Sequence, residues 1–128
     1  MSNFVLEKIE VGKGNQTFEK LVMDNKCPFD DFENNLEEIY KKELTQIYTY
    51  MDLVANLVSL PNTKFHFYDK GKNGVREFEF KTKHLRVYGI TKKNGKIIIL
   101  GGTKANQVND TTTFRNIKDK YLQSLDTE

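Results

Sequence analysis

Arg76-Glu77-Phe78-Glu79-Phe80-Lys81 alternates strictly between charged and apolar side chains, the two-residue period of a strand with one face on a core. Reading outward, residues 63–68 are aromatic and β-prone, and Asp69-Lys70-Gly71-Lys72-Asn73-Gly74 supplies the turn between the two segments. Downstream the apolar parity flips, from even at Phe78 and Phe80 to odd at Leu85 and Val87. A slip of one residue moves every side chain to the other face, so a turn or bulge is expected at Thr82-Lys83-His84, with a third strand over 85–91. Asn94-Gly95 is expected to fill the two left-handed positions of a type I′ hairpin. The run Ile97-Ile98-Ile99-Leu100, within a strand over 96–100, predicts burial on both faces. These strands form a four-stranded antiparallel meander.

The segments around the meander carry a different period. From 29 to 60 the apolar positions Phe32, Leu36, Ile39, Leu44, Ile47, Met51, Val54 and Val58 recur at three- and four-residue steps, with charges on the other face. Asp30 or Asp31 is expected to cap the start and Pro61 to stop the helical stretch. Two helices in a hairpin and one bent helix both fit its thirty-odd residues. After Gly101-Gly102, Phe114, Ile117, Tyr121 and Leu122 mark a last helix with Asp110 as its expected N-cap. The N-terminal segment 4–11 fits a strand with one irregularity, followed by a turn at Gly12-Lys13-Gly14-Asn15; 18–23 is too short to assign. The expected fold is therefore α+β, a single domain over 1–128, with N-terminal helices packed on a four-stranded antiparallel sheet and a C-terminal helix.

Composition limits the function. The formal net charge of +2 hides a strong asymmetry: residues 1–62 carry −5, residues 63–104 carry +8 and residues 105–128 carry −1. The longest apolar run is four residues, against about 20 for a membrane-spanning helix, so no membrane partner is expected. Met1 to Val11 lacks the order of a signal peptide, which points to the cytoplasm. One cysteine, Cys27, and two histidines cannot build an all-Cys/His four-ligand zinc site, so no metal and no small-molecule cofactor is expected.

The +8 segment coincides with the sheet. Lys81, Lys83 and Arg86 lie near the second turn, and Lys64, Arg76 and Lys104 are expected on the same face, where they would neutralise phosphates. Tyr68, Tyr88 and His84 interleave rings with these cations, as recognition of single-stranded RNA favours. The competing reading is that these cations solubilise the sheet and guard its edges. His84, beside cationic neighbours, is a candidate general base; a loop histidine of this kind is also commonly no more than solvated. His66 reads as structural or solvated and Cys27 as a small packed apolar residue, and Gly12-x-Gly14 lacks the rest of a dinucleotide loop.

The runs EFEFKTKHLRVYGI (77–90), NGKIIILGGTKANQ (94–107) and IKDKYL (117–122) resemble the C-terminal half of RelE/HigB-type toxins of the RelE/ParE toxin-antitoxin superfamily. Arg86-Val87-Tyr88 fills the place of that family's Arg-apolar-aromatic strand, and residues 102–107 fill its glycine-lysine-glutamine loop. The resemblance implies an endoribonuclease that cleaves messenger RNA on the ribosome and is neutralised by a cognate antitoxin protein. It further implies catalytic roles for Lys81, Lys83, His84 and Arg86, with Tyr88 and Lys104 as RNA contacts beside them; the charge pattern adds Lys64 and Arg76 to the expected RNA contacts. In this reading Arg86 and Lys81 stabilise the phosphate, Lys83 or His84 transfers a proton and Tyr88 stacks on or orients the RNA. The tail 123–128 has neither the Tyr nor the His that several relatives carry there, so a non-catalytic RNA- or protein-binding member of the same fold is the alternative.

Overall fold

The computed structural model describes residues 2–11, 14–70 and 75–126. Part of the first expected turn (Gly12, Lys13) and of the second (71–74) lies outside the described residues. Two strands open the chain, β1 (Phe4–Lys8) and β2 (Thr17–Met23), followed by helix α1 (Pro28–Asn34), a 3-10 turn (Glu38–Tyr40) and helix α2 (Lys41–Ala55). Strands β3 (Phe65–Lys70), β4 (Arg76–Lys81), β5 (Leu85–Lys92) and β6 (Gly95–Thr103) form the meander, and a second 3-10 turn (Lys104–Asn106) leads into helix α3 (Gln107–Asp126). The α+β class and the C-terminal helix agree with expectation. The four-stranded antiparallel sheet does not: the sheet is six-stranded and mixed, in the order β1-β2-β6-β5-β4-β3, with β2 parallel to β6 and all other pairs antiparallel. Nor do the helices come first, since two strands precede them.

The physical reason is the apolar run in β6. Ile97 and Ile99 pack on one face and Ile98 on the other, as the continuous run predicts, and a strand buried on both faces is most stable with neighbours on both edges. The second neighbour is β2, whose Phe18 and Leu21 are themselves buried on opposite faces. Residues α1 to β5 form the long crossover that a parallel pair requires.

Helices cover both faces of the sheet. On one, α1 and α2 pack Phe29, Leu44, Ile47, Met51 and Val54 against Phe18, Phe65, Phe78, Phe80 and Ile98. On the other, α3 packs Phe114, Ile117 and Tyr121 against Leu21, Tyr88, Ile90, Ile97 and Ile99. The helical stretch resolves into two helices that end earlier than Pro61. Leu57 takes a left-handed φ of 64°, its N–H bonds the Val54 carbonyl, and the Val58 N–H bonds that of Leu53, the paired closure of a Schellman motif. Asp30 and Asp31 lie in the first turn of α1, with Cys27 at its N-cap position and Pro28 opening the helix; there the two acids complement the helix dipole. Asp110 likewise falls inside α3 rather than at its N-cap.

The β5–β6 loop is Lys93-Asn94, because Lys92 pairs with Gly95. Asn94 has the left-handed φ of 59°; Gly95 is already in the strand. Glycine is needed at 95 for another reason: a Cβ there would lie 2.6 Å from the Thr17 carbonyl oxygen of β2. Among the described residues, no helix is long and apolar enough to cross a membrane.

Candidate functional site

The turn at 82–84 joins β4 to β5 as the parity flip requires, and a carboxylate from a helix holds it. Glu43, in the first turn of α2, accepts from the Thr82 hydroxyl at 2.6 Å and the His84 amide at 2.8 Å through Oε1. Its Oε2 lies 2.7 Å from His84 Nδ1. Burial alone would raise the Glu43 carboxyl, but these bonds from Thr82 and His84 outweigh it and hold the group below its ordinary value. The His84 ring packs at 5.1 Å on that of Tyr40, and its carbonyl accepts from the Lys104 amide at 2.8 Å. The turn is thereby tied to both α2 and the end of β6.

Tyr40, Lys83, His84, Thr103, Lys104 and Ala105 line a shallow cavity of about 360 Å³. Lys83 and Lys104 are exposed at its rim. With Nδ1 on Glu43, the ring's other nitrogen, Nε2, makes no hydrogen bond among the described residues. A carboxylate on one imidazole nitrogen fixes the tautomer and leaves the other nitrogen as a proton acceptor or donor. Lys104 and Ala105 also border a second, open cavity of about 520 Å³ along α3, lined by Gln107, Val108, Thr111, Thr112 and Arg115. Among the described residues, no three His, Cys, Asp or Glu side chains come together in a metal-binding arrangement.

The sequence-nominated residues fall into four groups. Lys83, His84 and Lys104 meet at the cavity. Lys81 and Arg86 are paired across β4 and β5 but are engaged elsewhere: Lys81 Nζ lies 3.4 Å from Glu79 Oε1, and Arg86 is only 9% exposed, with one guanidinium nitrogen donating to the carbonyls of Thr82 and Leu85. Tyr88 is 1% exposed, its ring stacked on Phe114 at 5.6 Å. It is closed to base stacking because α3 covers that face of the sheet, a cover that strand alternation alone does not reveal. Lys64 and Arg76 do not share a face with Lys81 and Arg86. Lys64 Nζ lies over the Tyr50 ring of α2 and the Arg76 guanidinium over Phe67, at 5.6 and 4.0 Å.

His84 also differs from expectation in its surroundings, which are a carboxylate and a tyrosine ring rather than cations alone. Glu43 was missed because 39 residues separate it from Thr82, and a single acid on a helix's polar stripe has no local signature. Also missed were Glu77 and Glu79, at 4% and 1% exposure. Glu77 accepts from Arg115 Nη2 at 3.0 Å and from Lys118 Nζ at 2.6 Å, while Glu79 accepts from Gln107 at 3.1 Å. A faint signal existed in the placement of Arg115 and Lys118 immediately after Phe114 and Ile117, at the margin of the apolar stripe of α3.

No protein-family model matches the chain, and no curated protein or solved structure matches it at a significant level.

Proposed function

We propose that the chain is an RNA-cleaving protein whose working surface is the Lys83–His84–Lys104 patch. The observation that carries this reading is the Glu43–His84 pair, which presents an imidazole nitrogen between two exposed lysines. Nε2 of His84 takes the proton from a ribose 2′-hydroxyl, whose oxygen attacks the adjacent phosphorus. Lys83 and Lys104 stabilise the charge on the pentacoordinate phosphorus, where fixed cations are most effective. The P–O5′ bond breaks, leaving a 2′,3′-cyclic phosphate, and one lysine ammonium protonates the departing 5′ oxygen. The cavity along α3, with Lys104 and Arg115 on its lining, extends the positive track for the strand. Together with the resemblance to RelE/HigB toxins, this supports messenger RNA on the ribosome as the substrate and a cognate antitoxin as the partner that covers the patch.

A second reading, RNA binding without cleavage, draws on the burial of Arg86 and the pairing of the half-buried Lys81 with Glu79, which draw two cations away from the reacting phosphate. Expression of the wild-type chain separates the two readings. Cleavage predicts growth arrest, relieved by His84→Gln, and RNA cleavage in a translating extract reduced about 10²-fold or more in that variant. Normal growth with abundant folded wild-type protein overturns the nuclease reading. Salt-dependent binding of single-stranded RNA, lost in the Lys83→Ala/Lys104→Ala double variant, would then support the second.

A further inference from the structure

At the opposite end of β6 from Lys104, about 26 Å away at strand spacing, lies a cavity that the proposed RNA chemistry does not use. Lys96 lies on its lining. The residue is 5% exposed, and its Nζ donates to Gln16 Oε1 at 2.6 Å. Around it stand the rings of Phe18, Phe65 and Phe67, at 6.0, 6.0 and 5.8 Å. The cavity measures about 430 Å³, and its walls include Leu57, Val58, Leu60 and Phe67.

Among the described residues, the buried Lys118 has the Glu77 carboxylate as its counter-ion. Arg86 donates one guanidinium nitrogen to two backbone carbonyls, while its Nε has no partner there. Among the described residues, Lys96 has one hydrogen-bond acceptor, the neutral Gln16 amide, and the faces of three phenylalanine rings, although an ammonium carries three donors. Taking a charge from water without a counter-ion is costly, and burial accordingly holds this amine below the ordinary lysine value. Gln16 is placed firmly beside it, because the Asn15 and Gln16 amides both bond the Ala55 carbonyl at the end of α2, at 2.8 and 3.1 Å.

We propose that this pocket binds a small monocarboxylate with an apolar body, whose carboxylate supplies the missing counter-ion of Lys96. One oxygen accepts from Nζ and the other from Gln16 Nε2, while the body lies against Leu57, Leu60 and Phe67. The volume is in the range of small-molecule sites, which combine apolar walls with few polar groups. A phosphate fits less well, since it needs several charged donors and Lys96 is the one cation on the lining, whose other polar residues, Gln16, Ser59 and Asn62, are neutral.

Calorimetric titration with octanoate and with 1-octanol, its uncharged counterpart, tests the proposal on the full chain. Octanoate is expected to bind saturably and more tightly than 1-octanol. Its affinity should fall at least about tenfold in Lys96→Met, the loss that removing a charged hydrogen-bond donor brings, while 1-octanol binds both proteins alike. Leu57 is 63% exposed, so Leu57→Glu leaves folding intact and should also weaken octanoate by placing a like charge at the mouth. The proposal is overturned if octanoate does not bind, binds no better than 1-octanol, or binds Lys96→Met and Leu57→Glu as it binds the wild type. None of these readouts depends on His84, so this pocket and the RNA patch stand or fall separately.

Discussion

Glu77 and Lys96 are both charged residues in the sheet interior, on opposite faces, and they are treated in opposite ways. Glu77, beneath α3, accepts from Lys118 and Arg115, two cations one helical turn apart. Burial would push its carboxyl up, but the bonds from Arg115 and Lys118 prevail and hold it below its ordinary value. Lys96, beneath α2, has one neutral hydrogen-bond partner and three phenylalanine rings among the described residues, and a depressed amine. The first arrangement is complete within the chain and serves to dock α3; the second leaves its ammonium without a counter-ion among the described residues. Whether a buried charge marks structure or binding thus depends on what surrounds it.

The strongest way to break this comparison is Glu77→Ala. Lys118, whose side chain is 9% exposed, would remain buried without a counter-ion, and removing one partner of such a pair costs about 3–5 kcal/mol. Urea unfolding should show a lower midpoint with an unchanged slope. A loss below about 1 kcal/mol would mean that the pair belongs with weak surface bridges and that α3 is held by Phe114, Ile117 and Tyr121 alone.

Lys96→Met should act in the opposite direction. It exchanges an uncompensated ammonium for an apolar chain of similar length among three phenylalanines, and the unliganded protein should gain on the order of 1 kcal/mol. A residue kept in the fold at a cost to stability is expected where the site has another use. Destabilisation by Lys96→Met would instead assign the ammonium to the structural class with Lys118.

The same contrast explains what could be read from the sequence. The meander was legible because its signals are local: the alternation of Arg76 to Lys81, the parity flip before Leu85, and the apolar run from Ile97. The role of β2 was not, since Phe18 and Leu21 lie in a short stretch without clean alternation and its partner β6 is some eighty residues away. Within the candidate site, Lys83, His84 and Lys104 were legible by residue type and proximity to turns. Their separation from Tyr88 and Arg86 was not, because it follows from α3 covering a strand face that alternation marks only as polar. Glu77 and Glu79 read as solvent-facing for the same reason, although both are buried.

A smaller effect is expected at Arg115. Its side chain is 51% exposed, and in its absence Lys118 still neutralises Glu77, so Arg115→Ala should cost less than about 1 kcal/mol in thermal or urea unfolding and become weaker still with added salt. If Arg115→Ala proved as costly as Glu77→Ala, the two cations would be acting as one unit, and a double-mutant cycle with Lys118 would show the coupling.

The finest distinction lies in pH. Glu77 has a folded-state pKa below its unfolded value, so its contribution is fully present above the unfolded value and is lost as pH falls through the folded one. Lys96 is a base whose folded-state pKa is also lowered. Between its folded and unfolded values the unfolded chain binds more protons, so stability gains with rising pH there, in an alkaline window. Burial raises the hydroxyls of Tyr48, Tyr68 and Tyr88, which gives stability the opposite slope at high pH. Because these tyrosines are present in both proteins, the difference between wild type and Lys96→Met isolates the lysine. The advantage of Lys96→Met should therefore shrink as pH rises through the alkaline window, whereas the deficit of Glu77→Ala should shrink as pH falls through the acid one. A constant Lys96→Met difference across the alkaline range would show that the ammonium is solvated and that the pocket offers a carboxylate no unmatched charge.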